Sequence, residues 1–244
     1  MDVAVVVEDL GVAYRPKTRH GWARKGGPRW AVSGVSFTVA RGELLGVIGG
    51  NGSGKTTLLR SLAGVLRPNR GQVATAGRVA SVIDLSPGIG RDLAADEDLA
   101  LWGILLGLSR AEMNGRRDAI VAFSGLDEDM LTSPLYTLSA GMTLRLQLGV
   151  AFHVDPDVLV VDEVLAVGDE DFRTACLDRI DLLRAEGGAA VLASHDPALV
   201  ARCDRVLVLE HGAPVYLGDP LHALEHHDVN VVLPAGQGRG VVNR

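Results

Sequence analysis

One stretch constrains this chain more than any other: the apolar run Leu44-Leu45-Gly46-Val47-Ile48, followed at once by Gly49-Gly50-Asn51-Gly52-Ser53-Gly54-Lys55-Thr56. Thr57-Leu58-Leu59-Arg60-Ser61-Leu62-Ala63 then continues as a helix. A strand, a glycine-rich turn and a helix start are the setting in which G-x-x-x-x-G-K-[ST] binds nucleotide phosphates. Glycines lack the Cβ atoms that would stop backbone N–H groups converging on an anion, and the helix adds its positive N-terminal end. Gly49, Asn51, Gly52, Ser53, Gly54 and Thr57 are thereby candidate phosphate contacts. Lys55 is placed to neutralise terminal phosphate charge, and Thr56 to set its hydroxyl on Mg²⁺. A glycine turn that holds nothing is the bland alternative, and the agreement of motif with context argues against it.

The surrounding chain reads as α/β. Strands are expected at Val3–Val7, Ala31–Val39, Gly71–Ala74 and Val79–Ile83. From Ser86 the texture changes to helices, at Leu93–Ser109, Arg110–Phe123 and Ala140–His153, with Asp127–Pro134 as a polar connection. Asp157-Val158-Leu159-Val160-Val161-Asp162-Glu163 is an unbroken apolar strand ending in two carboxylates, the pattern of a sheet buried on both faces. A helix over Glu170–Glu186, a strand over Ala189–Ala193, a short helix from Pro197 to Cys203 and a hairpin about His211-Gly212 follow. The residues after Pro220 read as a loose tail.

Bulk properties narrow the partners. A formal charge of −6 over 244 residues argues against a general nucleic-acid coat, so no nucleic acid is expected. Cys176 and Cys203 lie in helical stretches without metal-ligand spacing and read as buried reduced thiols, which fits a cytosolic protein. The acidic start Met1-Asp2-Val3 is unlike an export signal, and the apolar runs fall short of the ~20 residues that span a bilayer. Any membrane role would therefore come through a partner.

Three further motifs carry chemistry. Asp162-Glu163 at a strand end offers one carboxylate for Mg²⁺ and a second to polarise an attacking water. Alone, such a pair would be a solvated turn; beside a P-loop it is functional. His195, after the next strand, lies where it could reach a γ-phosphate. Ser139 and Gly141 in Leu138-Ser139-Ala140-Gly141-Met142 open a helix with a hydroxyl and bare N–H groups, a second anion-binding end in a chain with one P-loop. It is either an ordinary cap or the completion of a nucleotide site on another copy.

In this order, the P-loop, Leu138–Met142, Val160–Glu163, Gly168-Asp169 and Ser194-His195 resemble the ATP-binding cassette (ABC) ATPases across residues 3 to 220. The resemblance implies a P-loop NTPase fold with a RecA-like core, an antiparallel β subdomain and a helical subdomain inserted at about 88–153. The ATPase domain would cover 1–219 and a short tail 220–244. It implies a head-to-tail homodimer with two ATP molecules sandwiched between P-loop and signature helix. Tyr14 would stack on adenine, Ser139 and Gly141 would contact the γ-phosphate in trans, and Asp169 would line the seam.

The stretch Pro156–Phe172, with Leu165-Ala166-Val167-Gly168-Asp169, is similar to the ATP-binding subunits that export lipid-linked polysaccharide such as O-antigen, teichoic acid and cell-wall galactan. That implies a separate membrane-spanning permease, seated near Pro87–Ala100, with this chain on the cytoplasmic face of the membrane. Drug efflux, nutrient import and a soluble cassette acting on ribosomes or DNA are the alternatives. Asp84 stands where most cassettes carry glutamine, as a candidate sensor of Mg²⁺ or water, and Met142 replaces the usual signature glutamine. The tail is too short for the carbohydrate-binding domain that some of these exporters append. The basic stretch Arg15–Trp30 is expected to be a loop, either solvated or meeting the permease or anionic lipid through Trp22 and Trp30.

Overall fold

A computed structural model describes residues 2–14, 28–83, 92–163 and 169–226, and the backbone of 17–18 and 21–22. In chain order, β1 (Val3–Tyr14) leads to β2 (Lys17–Thr18) and β3 (Gly21–Trp22), which pair with each other, and then to β4 (Arg29–Ala40). Next come β5 (Leu44–Ile48), α1 (Lys55–Leu62), β6 (Arg70–Thr75) and β7 (Val79–Val82). Four helices follow: α2 (Ala95–Leu105), α3 (Arg110–Ser124), α4 (Glu128–Thr132) and α5 (Ala140–His153). The chain continues with β8 (Val158–Asp162), α6 (Glu170–Ala185), β9 (Ala189–Ala193), α7 (Pro197–Val200), β10 (Arg205–Glu210), β11 (Ala213–Gly218) and α8 (Pro220–His226).

These strands form an antiparallel sheet of order β4-β1-β6 and a six-stranded sheet of order β11-β10-β5-β9-β8-β7, parallel except for the β10–β11 hairpin. The large sheet is buried on both faces, which explains its unbroken apolar strands. Because side chains alternate, Leu44 and Ile48 of β5 join one core and Leu45 and Val47 the other. The first core packs against α2, α3, α5 and α6. The second fills the space beneath the small sheet, where α1 adds Leu58, Leu59 and Leu62.

Several boundaries depart from the sequence reading. The helix expected at Leu93–Ser109 is shorter, Ala95–Leu105. Glu97 accepts from the Ala94 N–H at 3.2 Å at its start, and Gly107 at φ 93 turns the chain out at its end. The connection Asp127–Pro134 contains α4, because Asp127 caps it by accepting from Met130 N at 2.8 Å. The expected loop ends sooner than anticipated: Arg29 and Trp30 belong to β4, opposite Tyr14 and Ala13. The segment read as a loose tail begins with α8, and residues 227–244 lie outside the described residues.

Both cysteines are buried, Cys176 in α6 and Cys203 after α7. Burial pushes each thiol up to about 12, so both are protonated at neutral pH. Among the described residues no helix is long and apolar enough to cross a membrane.

Candidate nucleotide site

The site forms where parallel strands end together. Val47 of β5 and Asp162 of β8 are both in register with Ala193 of β9, so the segments after these three strands emerge side by side. This edge of an open α/β sheet is where ligands bind. From β5 come Gly49–Gly54 and then α1. From β8 come Asp162 and Glu163, and from β9 come Ser194 and His195.

The glycines of the turn are required by close backbone approach. Gly49 adopts φ 148, and a Cβ there would lie 2.2 Å from the Leu209 carbonyl oxygen. Gly54 adopts φ 107, and a Cβ there would lie 2.5 Å from the Ala31 oxygen. Any side chain at either position would displace the turn from its neighbours. The Ser53 hydroxyl is buried within the turn and has no hydrogen-bond partner among the described residues.

Lys55, only 6% exposed, donates to the Gly49 carbonyl at 2.8 Å and lies 3.3 Å from Glu163 Oε1. His195 Nε2 is 2.7 Å from that same Glu163 oxygen and 3.3 Å from Lys55 Nζ. An ammonium and an imidazole N–H cannot donate to each other. The shorter contact therefore assigns the Nε2 proton to the bond with Glu163, and the Lys55–His195 approach is a contact rather than a hydrogen bond. Glu163 sits at φ 40, a left-handed conformation costly for this residue type, and its N–H is held by the Ala193 oxygen at 2.9 Å. That backbone bond aims its carboxylate at Lys55 and His195 rather than along the strand.

Beside this cluster, Thr56 Oγ1 donates to Asp162 Oδ2 at 2.7 Å, and Asp162 is 8% exposed. A hydroxyl and a carboxylate are hard oxygen donors. Among the described residues no three His, Cys, Asp or Glu side chains converge as a metal cage. That donor set fits Mg²⁺, which is usually held by one or two protein oxygens with the rest of its shell from phosphates and water. When bound there, Mg²⁺ would supply charge neutralisation between neighbouring phosphates.

Lys55, Thr56 and Glu163 of this cluster border a cavity of about 730 Å³, within the range of sites for small organic ligands, with Asp162 and His195 set behind them. Asn51, Gly52, Ser53, Gly54, Lys55, Thr56, Thr57 and Glu163 line it together with Tyr14, whose hydroxyl lies 3.4 Å from Thr57 Oγ1. Sequence reasoning missed four more lining residues: Arg29, Trp30, Ala31 and His211. The first two were assigned to a loop, and their pairing with Tyr14 and Ala13 would have been the signal. His211 was read only as a turn residue.

Ser139 and Gly141 are not brought to this cavity. Ser139 caps α5, accepting from Met142 N at 3.2 Å. Both residues line a separate cavity of about 350 Å³ with Met142 and Arg145, which shares no residue with the first. Arg145 ties that helix to the start of α6: it pairs with Asp169 at 2.7 Å and stacks over Phe172 at 4.6 Å. Asp169 caps α6, and the Phe172 N–H, then Arg145, hold its carboxyl below the usual range. Asp84 and Leu165–Gly168 lie outside the described residues.

Residues 32–166 match the family model described as ABC transporter. The chain is 36% identical over 237 residues to the O-antigen export system ATP-binding protein RfbB of Myxococcus xanthus, covering 89% of this chain and 54% of that protein. It is thus similar to about half the length of that relative. It is 42% identical to the O-antigen export system ATP-binding protein RfbB of Klebsiella pneumoniae, over 77% of this chain and 76% of that one. It is 35% identical to the teichoic acids export ATP-binding protein TagH of Lactiplantibacillus plantarum, over 81% and 54%. Among solved structures, an ATP binding subunit of an ABC transporter superposes with a TM-score of 0.75 at 27% identity, covering 88% of this chain and 90% of that one. The match to the family model takes in both the turn that ends β5 and the carboxylates that end β8, and on that ground the chain belongs to the ABC transporter family.

Proposed function

We propose that this chain is the ATP-binding and ATP-hydrolysing subunit of an exporter that moves a lipid-linked polysaccharide across the cytoplasmic membrane. The observation that carries the reading is the convergence of Lys55, Glu163 and His195 beside the Thr56–Asp162 pair, with Lys55, Thr56 and Glu163 lining one cavity. In that reading Tyr14 stacks on adenine, and residues Gly49 and Asn51–Thr57 hold the phosphates. Lys55 and His195 meet the γ-phosphoryl oxygens, where charge accumulates during transfer. ATP entry draws Lys55 away from Glu163, whose carboxylate then orients the attacking water and accepts its proton.

Ser139 and Gly141 complete the site of a second copy. Their separation from the P-loop cavity of their own chain supports a head-to-tail pair, since a helix end open to an anion would otherwise face nothing. Closure of the pair on ATP and reopening after hydrolysis would drive a separate membrane-spanning subunit, with this chain held peripherally on the cytoplasmic face. Asp84 would sense the metal or water, and residues 1–219 would make up the ATPase domain. The glycan assignment is supported by the relatives named for O-antigen and teichoic acid export.

The test is made in the producing cell, by replacing the chromosomal copy with Glu163→Gln. Surface polysaccharide is expected to disappear while its lipid-linked precursor accumulates inside. Unchanged surface glycan would overturn the substrate assignment.

A further inference from the structure

The large cavity has two chemically different sets of lining residues. The residues from Asn51 to Thr57 make its phosphate wall. Beside them stand Tyr14, Arg29, Trp30 and His211, which arrive from β1, from β4 and from the tip of the β10–β11 hairpin. Tyr14 and Trp30 are 44% and 41% exposed, large rings on adjacent strands left open to the cavity. Trp30 is seated firmly: a Cβ on Gly11 would come within 2.7 Å of its ring, and the Arg70 guanidinium lies 5.6 Å from its centroid. One face of the indole is thus covered from within the small sheet.

His211 enters this wall in a conformation that its turn would more readily give to another residue. It adopts φ 48, the left-handed region that glycine and asparagine occupy at least cost. The turn is fixed by backbone alone, since Gly212 N donates to the Ser53 oxygen at 2.9 Å and Ser33 N donates to the Gly212 oxygen at 2.8 Å. The hairpin tip is therefore clamped to the phosphate turn on one side and to β4 on the other, without help from the imidazole. The ring itself is exposed, makes no hydrogen bond among the described residues and borders the cavity. An imidazole offers one donor, one acceptor and an aromatic face. Here it is held rigidly beside the phosphate turn, on the side of Ala31 and Trp30.

We propose that His211 is a nucleoside-binding residue, contacting the ribose or base of the bound nucleotide in the cavity that Tyr14 also lines. The proposal deepens the ATP reading and rests on it. It assigns to the hairpin a part in ligand recognition that its backbone role alone does not require, and it accounts for a histidine where the turn geometry favours asparagine or glycine.

The experiment compares His211→Asn and His211→Gly with the unaltered protein. Both replacements tolerate the left-handed backbone, so the clamp on Ser53 is kept. Binding of ATP and of inorganic tripolyphosphate, each with Mg²⁺, is measured by calorimetry, together with thermal unfolding of the nucleotide-free protein. Loss of one hydrogen bond or ring contact is expected to weaken ATP by about fivefold to tenfold. Tripolyphosphate affinity should hold within about twofold, and unfolding should be unchanged or shifted upward. Unchanged ATP affinity would overturn the proposal. So would a parallel loss for both probes, which would place the role of His211 in shaping the phosphate turn. An unaltered protein that binds neither probe would instead sink the ATP reading from which the proposal starts.

Discussion

Glu163→Gln is expected to abolish ATP turnover while leaving ATP binding intact. The side chain keeps its size and one acceptor oxygen, but it loses the charge needed to take a proton from water. General-base catalysis contributes about 10² to 10⁴ in rate, so kcat should fall by at least about 100-fold. The binding side of the result follows from the resting geometry. Glu163 Oε1 lies 3.3 Å from Lys55 Nζ and competes with the γ-phosphate for that ammonium. The Glu163 side chain is 46% exposed, so the ion pair is screened and contributes at most about 1 kcal/mol. Removing it should leave ATP affinity equal or raised by up to about fivefold. A steady-state phosphate-release assay beside equilibrium ATP binding checks both halves. Turnover within tenfold of the unaltered protein would remove Glu163 from the chemistry.

Lys55→Ala is expected to cost binding itself. Lys55 is only 6% exposed, lines the cavity, and has its ammonium held toward the phosphate turn by the Gly49 carbonyl at 2.8 Å. Truncating one partner of a buried, hydrogen-bonded charge pair costs about 2 to 5 kcal/mol, which corresponds to roughly 30-fold or more in affinity. The effect should fall on ATP and tripolyphosphate alike, because Lys55 belongs to the phosphate wall. That separates it from the His211 replacements, which should spare tripolyphosphate. An ATP affinity within threefold of the unaltered protein would show that Lys55 does not meet the phosphates.

Much of this site is legible in the sequence because its parts are local. The strand, glycine turn and helix start at 44–63 name their own geometry. The apolar strand ending at Asp162-Glu163 announces a buried sheet with carboxylates at its edge, and Ser139 is visible as a helix cap. What is not legible depends on register between distant strands. That Glu163 and His195 touch follows from the pairing of Asp162 with Ala193, which no local pattern encodes. The same holds for Arg29 and Trp30, which look like the end of a basic loop until their pairing with Tyr14 and Ala13 turns them toward the cavity. The short helix α4 was hidden because five residues carry too little periodicity to register, whereas its Asp127 cap is a local signal that could have been used.

In the proposed reading the phosphate turn is half of a site whose other half belongs to a second copy. Light scattering on the Glu163→Gln protein, which should hold ATP without consuming it, is the test. With MgATP the mass is expected to double from the 25.7 kDa of one chain. Adding Ser139→Arg to the same protein should return it to the single-chain mass while ATP is still bound, because the bulky charge blocks only the face offered to the partner. A protein that stays monomeric with ATP bound, or a dimer indifferent to Ser139→Arg, would mean that Ser139 does not complete the site of a second copy.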